Sequence, residues 1–216
     1  MYKITLDSSP GILKKAVNAS INILKEGGLI IAPTETAYGL LANACDREAI
    51  NRLFEIKQRS MDKPTAVFVE SADSLMDYHV ELGERQLDGI RQFWPGPVTF
   101  VLNSSIDNWP GVLSGDGKIG FRCSSHPYIK SLIGEFKSPI SATSANISGK
   151  VPESISDIET NFSRIIELFI IDPVLNLDSL ASTVVELSDD DVQILREGAV
   201  DSDLIKGTFA HGERSK

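Results

Sequence analysis

Short apolar runs alternate along the chain with segments whose apolar residues recur at helical spacing. The first helical segment begins at Ser9-Pro10, where serine is a typical N-cap and proline suits the first helical position, and it ends at Gly27-Gly28. Residues 29–32 are uniformly apolar and Pro33 follows them, which indicates a short buried strand. Asp46 is placed to cap the next helix. The beginning of the chain therefore predicts strands and helices in alternation.

The same alternation continues toward the C-terminus. Further strands are predicted at 4–6, 65–69, 98–102, 118–122, 139–142, 168–171, 183–187 and 192–195, and further helices at 84–93, 127–136 and 154–162, with another starting at Ser71. Strands interleaved with helices predict an α/β domain with a mainly buried, mixed sheet. No composition shift marks a linker, so we predict one domain over residues 1–207 and a flexible tail over 208–216.

Composition and charge narrow the class of protein. The 216 residues are 42% apolar and 24% charged, which is typical of a globular chain. A net charge of −9 argues against a broad surface that follows nucleic-acid phosphates. Residues 1–66 nevertheless carry nine basic and seven acidic side chains, whereas the remainder is strongly acidic. An anion site is therefore expected to draw on the first third of the chain.

Cysteine content and hydropathy bear on the cellular compartment. The two cysteines, Cys45 and Cys123, form neither a disulfide framework nor a metal-ligand pattern. The first residues lack a basic region followed by an apolar stretch, and no window reaches eighteen apolar residues. Secretion and membrane insertion are therefore not expected, and the predicted location is the cytoplasm.

Polar side chains follow directly after the buried strand at 29–32. Thr34, Glu35 and Thr36 place two hydroxyls and a carboxylate at a strand end, and in open α/β sheets such ends face the ligand crevice. The alternative is an ordinary turn in which Thr34 and Thr36 bond their own backbone. This segment alone favours neither interpretation.

Three cations lie within seven residues at the end of the helix that Asp46 caps. Lys57, Arg59 and Lys63 suit either a clamp for a polyphosphate or carboxylate, or a solvated helix end that the helix dipole favours. Arg122 ends an apolar strand, and a buried strand rarely ends in arginine without an anion or a paired carboxylate.

A loop of small residues follows the strand predicted at 139–142. Ser144 and Asn146 offer hydroxyl and amide groups to a phosphate, or alternatively form a turn and a helix cap. Ser182 opens one strand, and Arg196 ends another just before Gly198.

Two motif matches are not supported by their sequence context. Residues 115–120 match G-x-G-x-x-G, but they precede a strand instead of following one, so we exclude a dinucleotide site. Ser60 and Lys63, with 144–146 downstream, imitate a penicillin-binding serine enzyme, whose K-T-G element the chain lacks. A Walker loop is also missing, so any nucleoside triphosphate binds without one.

Taken together, these segments resemble the YrdC-like family, the threonylcarbamoyl-AMP synthases, in its single-domain form. The matching stretches are 33–39, 57–59 with 62–64, 93–97, Arg122 with 126–127, 144–149, 182–183 and 194–198. The resemblance covers about residues 10–200. It implies a twisted mixed β-sheet with helices on both faces and a concave, basic ligand cavity.

The resemblance also implies a reaction. L-Threonine, bicarbonate and ATP, with Mg²⁺ accompanying the ATP, give threonylcarbamoyl-AMP and pyrophosphate. A tRNA threonylcarbamoyl transferase complex is then the expected partner and modifies adenosine 37, and weak binding of tRNA is a further expectation. The implied catalytic residues are Lys57, Arg59, Ser144 and Asn146, the implied ATP contacts add Lys63 and Arg196, and the implied threonine contacts are Thr34, Thr36, Arg122 and Ser182. The resemblance implies no metal ligands from the protein itself.

Two other functions stay open on the sequence. One is an RNA-binding or tRNA-binding module without chemistry, against which the net charge of −9 counts. The other is a paralogue that forms a different carbamoyl-adenylate. Leu41 and Phe68 favour the paralogue, because they depart from the residues that relatives often carry at these positions.

Overall fold

A mixed ten-stranded sheet runs through the protein. The computed structural model describes residues 1–106, 109, 111–146, 154–188 and 191–210. The strands are β1 (Tyr2–Thr5), β2 (Ile30–Pro33), β3 (Tyr38–Asn43), β4 (Ala66–Phe68), β5 (Val98–Asn103), β6 (Lys118–Arg122), β7 (Ile140–Ser144), β8 (Leu168–Ile171), β9 (Thr183–Leu187) and β10 (Val192–Arg196). Their order across the sheet is β1-β8-β2-β3-β7-β4-β6-β5-β9-β10. Parallel pairs such as β4–β6 stand beside antiparallel ones such as β3–β7, so the sheet is mixed as predicted.

Local capping chemistry determines where several helices begin. The helices are α1 (Pro10–Lys25), α2 (Arg47–Lys57), α3 (Glu84–Phe93), α4 (Pro127–Phe136), α5 (Ile155–Phe162) and α6 (Ser202–Phe209), with a 3₁₀ helix over Asp73–Tyr78. Ser9 Oγ accepts a hydrogen bond from Ile12 N at the start of α1, and Asp46 Oδ1 accepts two at the start of α2. Both caps are the ones that the sequence predicts.

Helices cover both faces of the sheet, which confirms the predicted fold class. α1 and α4 pack on one face with Ile30 and Leu41, whereas α2, α3, α5 and α6 pack on the other with Ile31 and Leu40. Neighbouring residues of one strand thus enter different apolar cores, as the two-residue period of a strand requires. On the face where α1 and α4 pack, part of the sheet forms a cavity. Its lining includes side chains of β7, β4, β6, β5 and β9.

Strand β3 was not predicted from the sequence. It pairs antiparallel with β2, so residues 34–37 form a hairpin turn, not a free loop between a strand and a helix. The strand contains glycine, alanine and asparagine and has no β-branched residue, so its composition does not favour a strand. Pairing on both edges, with β2 and β7, holds it in the sheet.

The C-terminal helix α6 corrects the predicted tail. Asp201 Oδ1 caps α6, and Phe209 is buried against Phe93 and Phe100. Thr208 therefore belongs to a helix, although the sequence assigned it to a flexible tail; residues 211–216 lie outside the described residues.

The helix predicted from Ser71 is shorter than expected, since only the 3₁₀ helix over Asp73–Tyr78 forms. No helix in the described part of the chain is long and apolar enough to cross a membrane.

Candidate functional site

A cavity of about 320 Å³ opens on the sheet face where α1 and α4 also pack. Strand register explains its position. Ala142 of β7 pairs with Ala66 of β4, Ala66 pairs with Gly120 of β6, and Gly120 pairs with Val101 of β5. Three of the smallest side chains thus meet in one row across the sheet and leave room for a ligand above them.

Lys57, the last residue of α2, supplies a buried ammonium group behind one wall of this cavity. Its side chain is 1% exposed. Nζ donates to the carbonyl oxygen of Ser144 over 2.5 Å and to Asn146 Oδ1 over 2.7 Å. Burial, and then the charge of Arg59, lower the pKa of Lys57 to about 8. The three residues form one polar unit at the end of β7.

Arg59 and Arg196 approach the cavity from opposite ends of the chain. Arg59 Nε donates to the carbonyl oxygen of Lys63 over 2.7 Å, and Nη2 donates to that of Pro64 over 3.0 Å. Arg196 donates from Nη2 to the carbonyl oxygen and to Oγ of Ser182, over 2.7 Å and 3.0 Å. Both guanidinium groups are thus oriented by neutral oxygens.

These cations repel one another across the cavity. Burial lowers the pKa of Arg59, and it lowers that of Arg196, on which the charges of Arg122 and Arg59 act in the same direction. The ion pairs of the described residues include none with Lys57, Arg59 or Arg196. A polyanionic ligand would relieve this repulsion, which makes the cavity suited to phosphates.

Arg122, at the end of β6, is paired with a carboxylate. Its Nη2 and Nε donate to Glu35 Oε1 over 2.8 Å and 3.3 Å, and Nη2 also donates to Thr36 Oγ1 over 2.7 Å. Ser124 Oγ donates to the other oxygen, Glu35 Oε2. Burial raises the pKa of the Glu35 carboxyl, but the charge of Arg122 and these hydrogen bonds outweigh burial and hold it below its usual value. Of the two partners that the sequence left open for Arg122, the structure provides the carboxylate.

Thr34 and Thr36 shape the hairpin turn that carries Glu35. Thr34 Oγ1 donates to the carbonyl oxygen of Ala37 over 2.6 Å and accepts from the amides of Thr36 and Ala37. Both threonines are buried and line the cavity. The turn interpretation is therefore confirmed for Thr34 and not for Thr36, whose Oγ1 accepts from Arg122. The contact of either threonine with a ligand stays a prediction.

Ser182 and Arg196 are held together by a close backbone approach. Ser182 Oγ lies 3.0 Å from Thr99 Oγ1, and the carbonyl oxygen of Ser182 accepts a hydrogen bond from Arg196. A Cβ atom at Gly198 would lie 2.4 Å from the carbonyl oxygen of Ala181, a distance that side chains do not tolerate. Glycine at 198 thus permits the contact that positions Arg196.

The structure brings most of the predicted site residues together. Those that line the cavity are Thr34, Thr36, Arg59, Arg122, Ser144, Ser182 and Arg196. Lys57 and Asn146 join them through their hydrogen bonds with Ser144. Lys63 is exposed outside the cavity lining, and only its carbonyl oxygen contacts Arg59, so its nucleotide contact stays a prediction. Residues 147–149 of the predicted loop lie outside the described residues.

Sequence reasoning missed one cation of the cavity. Lys118 lines it and forms ion pairs with Asp116 and Glu186 over 2.7 Å and 2.8 Å. These partners raise the pKa of Lys118 to about 12. Lys118, Gly120 and Arg122 share one face of β6 at the two-residue period, a signal that the sequence contains. Glu35 was noted in the sequence as a strand-end carboxylate, but its pairing with Arg122, which spans 87 positions, was not predicted. No three His, Cys, Asp or Glu side chains in the described segments are grouped to hold a metal ion.

The family model for Sua5, YciO and YrdC, described as "Telomere recombination", matches residues 22–198. The threonylcarbamoyl-AMP synthase of Pyrococcus abyssi is 36% identical over 186 residues, which are 85% of this chain and 54% of the relative. The enzyme of Bacillus subtilis is 32% identical over 87% of this chain and 54% of its own. The chain thus spans about half the length of these two relatives.

Some other relatives match along most of their length. The putative threonylcarbamoyl-AMP synthase of Methanocaldococcus jannaschii is 30% identical, with 87% of both chains covered. The crystal structure of P. abyssi Sua5 complexed with L-threonine superposes with a TM-score of 0.84 at 31% identity, over 96% of this chain and 60% of that one. Escherichia coli YciO, with a TM-score of 0.81 at 23% identity over 93% of this chain and 96% of its own, shares the fold.

Proposed function

The chain belongs to the Sua5/YciO/YrdC family, and on this premise we propose that it is a threonylcarbamoyl-AMP synthase. It would convert L-threonine, bicarbonate and ATP into threonylcarbamoyl-AMP, pyrophosphate and water, and thus act as a nucleotidyltransferase. The related Sua5 of P. abyssi has been crystallised with L-threonine, which supports the same amino acid as substrate here.

The observation that carries this proposal is the gathering of cations around one cavity. Lys57, Arg59 and Arg196 are oriented only by neutral oxygens, whereas Arg122 is paired with Glu35. Cations without carboxylate partners are strong ligands for phosphate oxygens. The cavity therefore suits a ligand with several negative charges together with a second, less charged one.

The proposed chemistry requires charge neutralisation more than a covalent nucleophile. The neutral amine of threonine captures carbon dioxide as an N-carboxylate, which then attacks the α-phosphorus of ATP and displaces pyrophosphate. Both reactants are anionic, so Lys57, Arg59 and Arg196 offset their repulsion and stabilise charge on the phosphoryl oxygens. Ser144 and Asn146, fixed by Lys57, present polar groups to the reacting centre. Arg122 and Thr36 receive the carboxylate of the amino acid, and Ser182 lies beside the same cavity for its hydroxyl.

Mg²⁺ enters this proposal as part of the substrate, bound to ATP. This ion commonly keeps several waters and is held through the phosphates of its nucleotide. It would neutralise part of the phosphate charge, while the cations of the protein neutralise the remainder.

The destination of the product is also a proposal. A threonylcarbamoyl-adenylate is an activated acyl donor, so a tRNA threonylcarbamoyl transferase complex would consume it in the cytoplasm. Weak binding of tRNA to the protein would help this transfer.

Release of pyrophosphate from ATP tests the proposed function. With Mg²⁺ present, we expect release only when both L-threonine and bicarbonate are added. Arg59→Ala should abolish the release, whereas Arg91→Ala should not, since Arg91 is exposed, pairs with Asp73 and Asp88 and lies outside the cavity lining. Release that is indifferent to threonine would refute the proposal.

A second candidate is a synthase for a different carbamoyl-adenylate. Phe68 favours it, because this residue lies in register with Arg122, lines the cavity and is 2% exposed. A bulky ring beside the proposed carboxylate anchor restricts the side chain of the amino acid. A panel of amino acids in the same assay decides between the two: a better substrate than threonine would establish the second candidate.

A further inference from the structure

Glu35 introduces a negative charge beside a cavity that otherwise gathers cations. Thr34 and Thr36, its neighbours in the hairpin turn, both line the cavity, and the Glu35 side chain is 14% exposed. A carboxylate in this place weakens the attraction for a ligand with several negative charges. The resemblance to known synthases assigns this residue no role, and the pairing in the structure suggests one.

Both carboxylate oxygens of Glu35 are occupied. Oε1 accepts from Nε and Nη2 of Arg122, and Oε2 accepts from Ser124 Oγ. Ser124 is itself held, since its Oγ accepts from the amide of His126 over 3.2 Å, and the His126 ring lies 3.0 Å from Asp172. The orientation of Glu35 is therefore fixed from both sides.

This pairing leaves Arg122 with one particular edge for a ligand. Nε and Nη2 are engaged by Glu35 and Thr36, and among the described residues Nη1 makes no hydrogen bond. Three arginines line the cavity in the described structure. Arg122 has a carboxylate partner, whereas Arg59 and Arg196 donate to neutral oxygens.

We propose that Glu35 is a positioning and specificity residue that divides the cavity into two anion sites. Around Glu35 and Arg122 the net charge is close to zero, so this half accepts a single carboxylate by directed hydrogen bonds from Nη1. Around Lys57, Arg59 and Arg196 the net charge is positive, so this half accepts the polyphosphate. The proposal rests on the proposed function for the identity of the two substrates.

The physical basis is that repulsion by Glu35 grows with the charge of the ligand. A polyphosphate chain with three or four negative charges is repelled several times more strongly than one carboxylate at the same distance. The amino group of an amino acid, close to its carboxylate, is by contrast compatible with a nearby negative charge. Glu35 therefore keeps the nucleotide from occupying the amino-acid site.

Binding measurements on Glu35→Gln test the proposal without requiring turnover. The amide side chain of this variant can still accept from Arg122 and bond Ser124, so the shape is retained while the charge is lost. We expect the dissociation constant for L-threonine, measured by calorimetry with and without α,β-methylene-ATP, to rise about tenfold or more, because the ammonium group of the amino acid loses the nearby negative charge. The dissociation constant for tripolyphosphate should stay the same or fall. Damage to the fold would instead weaken both ligands.

Two further variants complete the experiment. Glu159→Gln removes a carboxylate that pairs with Lys3 away from the cavity, and it should change neither dissociation constant. Ser124→Ala keeps the charge of Glu35 but removes the hydrogen bond to Oε2, and it should weaken the binding of threonine and not that of tripolyphosphate. If Glu35→Gln does not fold, the result with Ser124→Ala tests the proposal in its place. Equal weakening of both ligands in Ser124→Ala, or unchanged binding of threonine in a folded Glu35→Gln variant, would overturn the proposal.

Failure of this inference can be told apart from failure of the proposed function. If the wild-type protein releases pyrophosphate with threonine and bicarbonate, but Glu35→Gln changes the two dissociation constants alike, the protein is a synthase in which Glu35 does not separate the two ligands. If Glu35→Gln has the selective effect but the wild-type protein releases no pyrophosphate, the protein has the two anion sites and is not a synthase.

Discussion

Lys57 Nζ donates a hydrogen bond to the carbonyl oxygen of Ser144 over 2.5 Å, although 87 positions separate the two residues. The contact joins the end of α2 to the end of β7 at the wall of the cavity. The ammonium group is buried without a carboxylate partner in the described structure, an arrangement that costs stability and that function must explain.

Replacing Lys57 by methionine should separate activity from stability. We expect Lys57→Met to lower threonine-dependent pyrophosphate release by at least about 100-fold, because the polar unit with Ser144 and Asn146 is lost. The free energy of unfolding at neutral pH should rise by about 1–3 kcal/mol, since a buried charge is replaced by an apolar chain of similar volume. Urea denaturation measures this, with Lys25→Met as the exposed control. A fall in stability would show that Lys57 is retained for the fold.

The stability difference between Lys57→Met and wild type should depend on pH. The pKa of Lys57 is about 8 in the folded protein and 10.5 as the ordinary value, so between these values the unfolded chain binds a proton that the folded one lacks. Wild-type stability therefore rises with pH relative to the variant. From about pH 7 to about pH 9.5 the gap should shrink by roughly 2 kcal/mol. A constant gap across this range would contradict the lowered pKa.

Gly198→Ala should displace Arg196 from the cavity. The added Cβ would lie 2.4 Å from the Ala181 carbonyl oxygen and 2.5 Å from the Ser182 carbonyl carbon, both backbone atoms. We expect a loss of about 1–3 kcal/mol in unfolding free energy and a higher KM for ATP.

Gly134→Ala is the matched control for this variant. Gly134 lies within α4, and a Cβ there meets nothing within 4 Å. Stability should therefore rise by up to about 1 kcal/mol, with activity unchanged. If both substitutions behave alike in unfolding and kinetics, the close approach at Gly198 does not position Arg196.

Ala66→Val tests whether ligands occupy the row of small side chains. Ala66 lies between Ala142 and Gly120 on the cavity floor, and valine is compatible with a strand. Activity should fall by at least about tenfold while the unfolding free energy changes by less than about 1.5 kcal/mol. Thr5→Val, at an exposed position of β1, is the control. Full activity in Ala66→Val would place the substrates elsewhere.

Elements with strong local signals were predictable from the sequence, and others were not. Helix α3 and strand β6 have the predicted bounds, because their periodicity and flanking residues lie within a few positions of each other. Strand β3 escaped prediction because its composition does not favour a strand and its pairing with β2 and β7 holds it in place. Helix α6 is similar: Phe209 packs on Phe100, which lies more than a hundred positions earlier.

The sequence by itself determined the fold class, the family resemblance and three of the four cations that line the cavity, because caps, strand periodicity and motif spacing are local properties of the chain. Only the tertiary structure decided the partners. It paired Arg122 with Glu35, fixed Lys57 on Ser144 and left Lys63 exposed. These contacts depend on the register of strands that are distant in sequence and on the packing of helices against them, and no local pattern encodes either.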